Sequence, residues 1–162
     1  MLRVLLTGVS GVGKSTVVAR LADLGHRAVD TDYDGWCAPE PDAVPPKPTA
    51  EPDWVWREDR MRRLLDTADA DALFVSGCVP NQWKFYRDFD HVILLSAPLD
   101  VIRLRLESRT GNTYGKTPAE LAAALADWQE IEPLLRAGAT AEIDTTPPLS
   151  EVMERLLAHV GL

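Results

Sequence analysis

Leu2-Arg3-Val4-Leu5-Leu6-Thr7 runs straight into Gly8-Val9-Ser10-Gly11-Val12-Gly13-Lys14-Ser15-Thr16, and this junction decides the fold. A short continuous apolar run is the pattern of a strand buried on both faces of a sheet. The segment from Lys14 to Leu24, stopped at Gly25, reads as a helix. Between them stands the spacing G-x-x-x-x-G-K-[ST], in the strand-to-helix context that this spacing requires. Glycines let the backbone approach closely and adopt φ > 0. Consecutive N–H groups and the helix N-terminus can then surround phosphate oxygens. Gly8, Ser10, Gly11, Val12, Gly13, Lys14, Ser15 and Thr16 are therefore expected to bind a nucleoside triphosphate. Lys14 would reach the β and γ phosphates, and the Ser15 hydroxyl would bind magnesium.

Outward from that junction, Leu73 to Val75 and Val92 to Leu95 repeat the buried-strand pattern, and Arg27 to Val29 and Ala141 to Ile143 are weaker strands. Helices are predicted over Trp54 to Thr67 and Leu99 to Ser108. A long one should run from Thr117-Pro118-Ala119-Glu120, a capping box with Pro at the first helical position, to about Arg136, and a last one should be capped by Ser150. This alternation predicts an α/β fold, a three-layer α/β/α sandwich on a five-stranded parallel sheet, with ligands at the carboxyl ends of the strands. With 162 residues, we expect one domain over 1–162. Residues 34–60 would form a substrate-side cover and helix, because Ala38 to Pro52 holds six prolines that forbid a continuous helix or central strand. Residues 109–117, with Gly111 and Gly115 among polar side chains, would form a mobile lid.

Composition narrows the partners. The 17 Lys+Arg against 25 Asp+Glu give a formal net charge of -8, which repels polyanions at long range, so no nucleic-acid partner is expected. No run reaches membrane length, and the two cysteines, Cys37 and Cys78, have no metal-ligand spacing. A cytoplasmic monomer or weak homodimer acting on a small molecule is the expectation.

The third strand ends Val75-Ser76-Gly77-Cys78 without a metal-binding Asp. Asp30-Thr31-Asp32 closes the second strand instead, with two carboxylates at i, i+2 that can face both magnesium and an acceptor hydroxyl. With Trp56-Arg57, Ser76-Gly77-Cys78, Arg109-Thr110-Gly111-Asn112 and Ile143-Asp144-Thr145 in order after the glycine loop, the chain resembles the shikimate kinase and gluconate kinase group of small P-loop kinases over nearly its whole length. The resemblance implies an ATP-dependent, Mg2+-dependent kinase that phosphorylates a hydroxyl of a small molecule. It makes Asp30 a magnesium ligand alongside Ser15, and Asp32 the catalytic group that orients or deprotonates the acceptor. Arg57 and Gly77 join Asp32 as acceptor contacts, and Arg109 and Pro147 enclose adenine. Lys116, where the lid of such kinases carries an arginine, would be a second catalytic cation beside Lys14. The late segment reads Ile131-Glu132-Pro133-Leu134-Leu135 and lacks the carboxylate-clamping arginine of shikimate kinases, which argues against shikimate itself. A nucleoside or nucleotide kinase, and an ATP-binding switch without a small-molecule acceptor, are the alternative readings.

Overall fold

β1 (Leu2–Thr7) is the central strand of a five-stranded, all-parallel sheet in this computed structural model, which describes residues 1–40, 53–110 and 113–162. The order is β2 (Arg27–Asp30), β5 (Ala72–Ser76), β1, β6 (His91–Ser96) and β7 (Ala141–Asp144). Side chains of alternating direction put Val4, Leu6 and Phe74 into one core and Leu5, Leu73 and Val75 into another. The first core is closed by α1 (Lys14–Asp23), α3 (Leu99–Ser108), α4 (Pro118–Glu130) and α6 (Leu149–Val160). The second is closed by α2 (Glu58–Leu65), through Met61, Leu64 and Leu65, and by a 3-10 helix (Gln82–Asp88) through Phe85. The three expected layers and all five expected strands are present.

Three local expectations are corrected. Trp54–Trp56 is not the start of a helix but a short strand, β4, paired antiparallel with β3 (Cys37–Pro39) in the register Cys37 to Trp56 and Pro39 to Trp54. The free edge of β4 is satisfied by the Asn81 side chain, which accepts from Trp56 N–H at 3.0 Å and donates to Trp56 O at 3.0 Å. Beyond the pairing, Glu40 N–H donates to Asp53 O at 2.8 Å. The intervening prolines of the expected cover, from residue 41 to 52, lie outside the described residues, as do Gly111 and Asn112 of the expected lid.

The long late helix is two helices, α4 and α5 (Glu132–Gly138), because Pro133 has no N–H to give the Gln129 carbonyl and is tolerated only in a first turn. The capping box at its start is as read: Glu120 N–H donates to Thr117 Oγ1 at 3.2 Å and Thr117 N–H to the Glu120 carboxylate at 3.3 Å. α6 is preceded by Pro148 rather than capped by Ser150, which lies inside the helix. Among the described residues, no helix is long and apolar enough to cross a membrane.

Candidate active site

The chain leaves the carboxyl end of β1 through a loop that admits no side chain at its first residue. A Cβ on Gly8 would lie 2.4 Å from the Leu95 carbonyl oxygen on neighbouring β6. Gly13 ends the loop at φ 100°, the left-handed conformation that glycine takes at little cost, and so aligns the N-terminus of α1 with the strand end. The resulting cavity of about 550 Å³ is lined by the loop and first turn from Ser10 to Val17, by Asp32 and Tyr33 past β2, by Arg105, Ser108 and Arg109 at the end of α3, and by Thr145, Pro147, Leu149 and Val152. The lining thus combines backbone amides, hydroxyls and charge with two guanidinium groups and apolar surface.

Lys14 is buried beneath the loop and donates from Nζ to Gly8 O at 2.7 Å and Val9 O at 3.2 Å. Ser15 Oγ donates to the Asp30 carboxylate at 2.7 Å, joining the first turn of α1 to the end of β2. A hydroxyl and a carboxylate are the hard oxygen donors that magnesium takes, usually one or two of them together with waters and substrate phosphates. The pair therefore fits that ion. Among the described residues, no group of three or more His, Cys, Asp or Glu could hold a metal unaided.

Asp32 is fixed by the residue before it. Thr31, which is buried, donates from Oγ1 to Ser76 O at 2.7 Å and accepts from Trp56 Nε1 at 2.8 Å, so the two flanking carboxylates are presented from a rigid point on the sheet edge. Asp32 N–H also donates to Asp30 Oδ1 at 3.2 Å. The Asp32 side chain meets solvent on its open side. The protein on its closed side pushes the carboxyl above the ordinary carboxylate range; Lys14 pulls it back, and Asp30 adds to the rise. The two cysteines are free thiols. Burial raises Cys37 to about 11 with help from the Asp32 charge, and burial raises Cys78 against the opposing charge of Lys14. Both favour the protonated, unreactive form.

The expected site residues divide in two. Ser10, Gly11, Val12, Gly13, Lys14, Ser15, Thr16, Asp32, Arg109 and Pro147 line one cavity, with Asp30 bonded to its rim and Gly8 accepting from Lys14 through its carbonyl. Arg57, Gly77 and Lys116 do not line it. Arg57 is exposed and lines a second cavity, of about 760 Å³, between the β3–β4 pair and α2. Gly77 is buried, and a Cβ there would lie 2.5 Å from Thr31 Oγ1 and 2.8 Å from the Trp56 ring. Lys116 is exposed and donates to Glu107 O at 2.7 Å, on the last turn of α3. Arg109 donates to Tyr114 O at 2.5 Å, while its buried Nε has no partner among the described residues.

Sequence reasoning assigned no role to Arg105 and Thr145. Arg105 donates to Val12 O at 3.2 Å, Thr145 Oγ1 at 2.9 Å and Thr145 O at 2.6 Å. The available signal was its place four residues before Arg109, on the last turns of α3, with Arg109 just past the end of that helix.

Solved structures share this fold. A shikimate kinase from Acinetobacter baumannii in complex with shikimate aligns with a TM-score of 0.67 at 15% identity, covering 99% of this chain and 94% of that one. A gluconokinase from Sinorhizobium meliloti aligns at 0.61 and 21% identity, covering 99% and 91%. A deoxyadenosine kinase from M. mycoides with bound dATP aligns at 0.61 and 13% identity, covering 99% and 100%. A comparison with curated proteins finds no match. The sequence model of the AAA domain family matches residues 4–126, well over half of the chain, and the protein belongs to that family.

Proposed function

We propose that the protein is an ATP- and magnesium-dependent kinase that transfers the γ-phosphoryl group to a hydroxyl of a small molecule. The observation that carries this reading is the Ser15–Asp30 contact at the rim of the glycine-loop cavity, with Asp32 two residues further along the same strand end. A switch protein needs the loop and the metal donors. A second carboxylate at the loop, held above its ordinary value by burial, is what a transferase adds.

In this reading the acceptor oxygen attacks the γ-phosphorus, the bond from γ-phosphorus to the bridging oxygen breaks, ADP departs, and Asp32 accepts the hydroxyl proton. Ser15 and Asp30 would hold magnesium, which would supply charge neutralisation on the phosphates. Lys14 supplies a fixed positive charge once its ammonium exchanges the Gly8 and Val9 carbonyls for phosphate oxygens. Arg109 and Pro147 enclose the base. Arg57 and Gly77 serve the acceptor, and Lys116 brings a second charge when the 109–117 lid closes. That closure has to break the Lys116 bond to Glu107 O.

Coupled detection of ADP tests the reading, using panels of sugars, sugar acids, nucleosides and other hydroxylated metabolites. Slow turnover with ATP alone and strong acceleration by one chemical class is the expected result. ATP binding with turnover that no metabolite alters would overturn the transferase reading in favour of a switch.

A further inference from the structure

The peptide between Val12 and Gly13 is the point at which the phosphate loop turns into α1. A trans peptide is planar, so its carbonyl and its N–H point in opposite directions, and whatever fixes Val12 O also aims Gly13 N–H. Gly13 at φ 100° carries no side chain to resist rotation of this unit, so its direction has to be imposed from outside. Thr145 Oγ1 donates to Val12 O at 2.6 Å, and Arg105 donates to the same oxygen at 3.2 Å. Thr145 is buried and anchored in turn, its N–H donating to Ser96 O at 2.9 Å. Arg105 grips Thr145 twice more, at 2.9 Å and 2.6 Å. The carbonyl is thus tied to α3 and to the carboxyl ends of β6 and β7. Gly13 N–H has no acceptor among the described residues, and Gly13 lines the cavity.

We propose that Arg105 is a positioning residue for triphosphate binding: with Thr145 it holds Val12 O outward and so aims Gly13 N–H at the phosphates. This rests on the reading of the loop as a nucleoside triphosphate site. The side chain acts through the Val12–Gly13 peptide, so losing it weakens the phosphate end of the ligand and leaves the base end unaffected.

Calorimetric titration of the full chain with magnesium plus either inorganic tripolyphosphate or ATP tests this. Arg105→Met should weaken both ligands by the same factor, roughly tenfold, the size of one lost charge-assisted bond. Thr145→Val keeps the guanidinium but deletes the shorter bond to Val12 O, and should weaken both ligands in the same way. Thermal melts establish that each variant is folded; if Arg105→Met is not, Thr145→Val decides alone. Unchanged tripolyphosphate affinity in either folded variant overturns the proposal. A loss for ATP much larger than for tripolyphosphate also overturns it, because Arg105 would then act on the base. Wild-type protein that binds neither ligand would reject the triphosphate reading itself, and this proposal with it.

Discussion

Ser15 Oγ and the Asp30 carboxylate meet at 2.7 Å across the gap between the first turn of α1 and the end of β2, residues fifteen apart in sequence and on different elements. The hydroxyl is a neutral donor, so Asp30 carries the negative charge of the pair. Asp30→Asn should raise the magnesium concentration needed for half-maximal turnover several-fold and leave the rate at saturating magnesium much less affected. A magnesium titration of turnover checks this; an unshifted midpoint would detach Asp30 from the metal.

Asp32→Asn should behave differently. Loss of a general base should lower kcat on the order of 10²-fold or more while nucleotide affinity stays within a few-fold. The upward displacement of its carboxyl makes a further expectation for the wild type. The base form is lost on acidification at a higher pH than for an ordinary aspartate, so the acid limb of kcat should lie above about 3.9. The stability effect has the opposite sense: a carboxyl raised in the fold favours the folded state below its unfolded value, and that contribution disappears as pH rises through the folded value. Asp32→Asn should therefore gain stability relative to wild type at neutral pH and lose that advantage in acid, as paired thermal melts would show.

Lys14→Ala should abolish transfer and sharply weaken triphosphate binding, since it removes the ammonium buried beneath the loop. Full turnover by a folded variant would sink the kinase assignment.

For the lid, Lys116→Ala should lower kcat with ATP affinity nearly intact, and Arg109→Ala should mainly weaken ATP binding, because only the second side chain already lines the cavity. Unchanged turnover in Lys116→Ala would leave that lysine as the partner of the Glu107 carbonyl and nothing more.

Gly77→Ala tests packing instead of chemistry. Its Cβ would press on Thr31 Oγ1 and the Trp56 ring, two groups held to each other by a hydrogen bond and unable to move apart freely. A cost of about 1–3 kcal/mol is expected, visible as a lowered melting temperature.

What could be read in advance follows the range of the interactions. The strands were legible because burial on both faces leaves a continuous apolar run such as Leu2 to Leu6, and the phosphate loop because its residues act as neighbours in sequence. Ser15 and Asp30 were linked by a shared magnesium role, since in a parallel sheet the turn after β1 and the end of β2 lie at the same carboxyl end. Trp54–Trp56 was misassigned because three residues carry no periodicity, and what makes them a strand is Cys37–Pro39 on one side and Asn81 on the other. Arg105 escaped for the same reason: its partners are 93 residues back at Val12 and 40 forward at Thr145, and no local pattern encodes either. The break at Pro133 was visible in principle, and was passed over because a strong capping box upstream suggested one continuous helix.

The pairing of β3 with β4, closed by the Glu40 to Asp53 bond, holds together the two ends of segment 41–52. A stretch whose ends are already joined can be exchanged as a cassette. Doubling its length adds only about 0.6 kcal/mol of closure entropy, and the strands that carry the phosphate loop and the two aspartates need not adjust. Changes of length or sequence at this one position are therefore expected to leave the five-stranded sheet and the glycine loop as they are, which thermal melts of such variants would check.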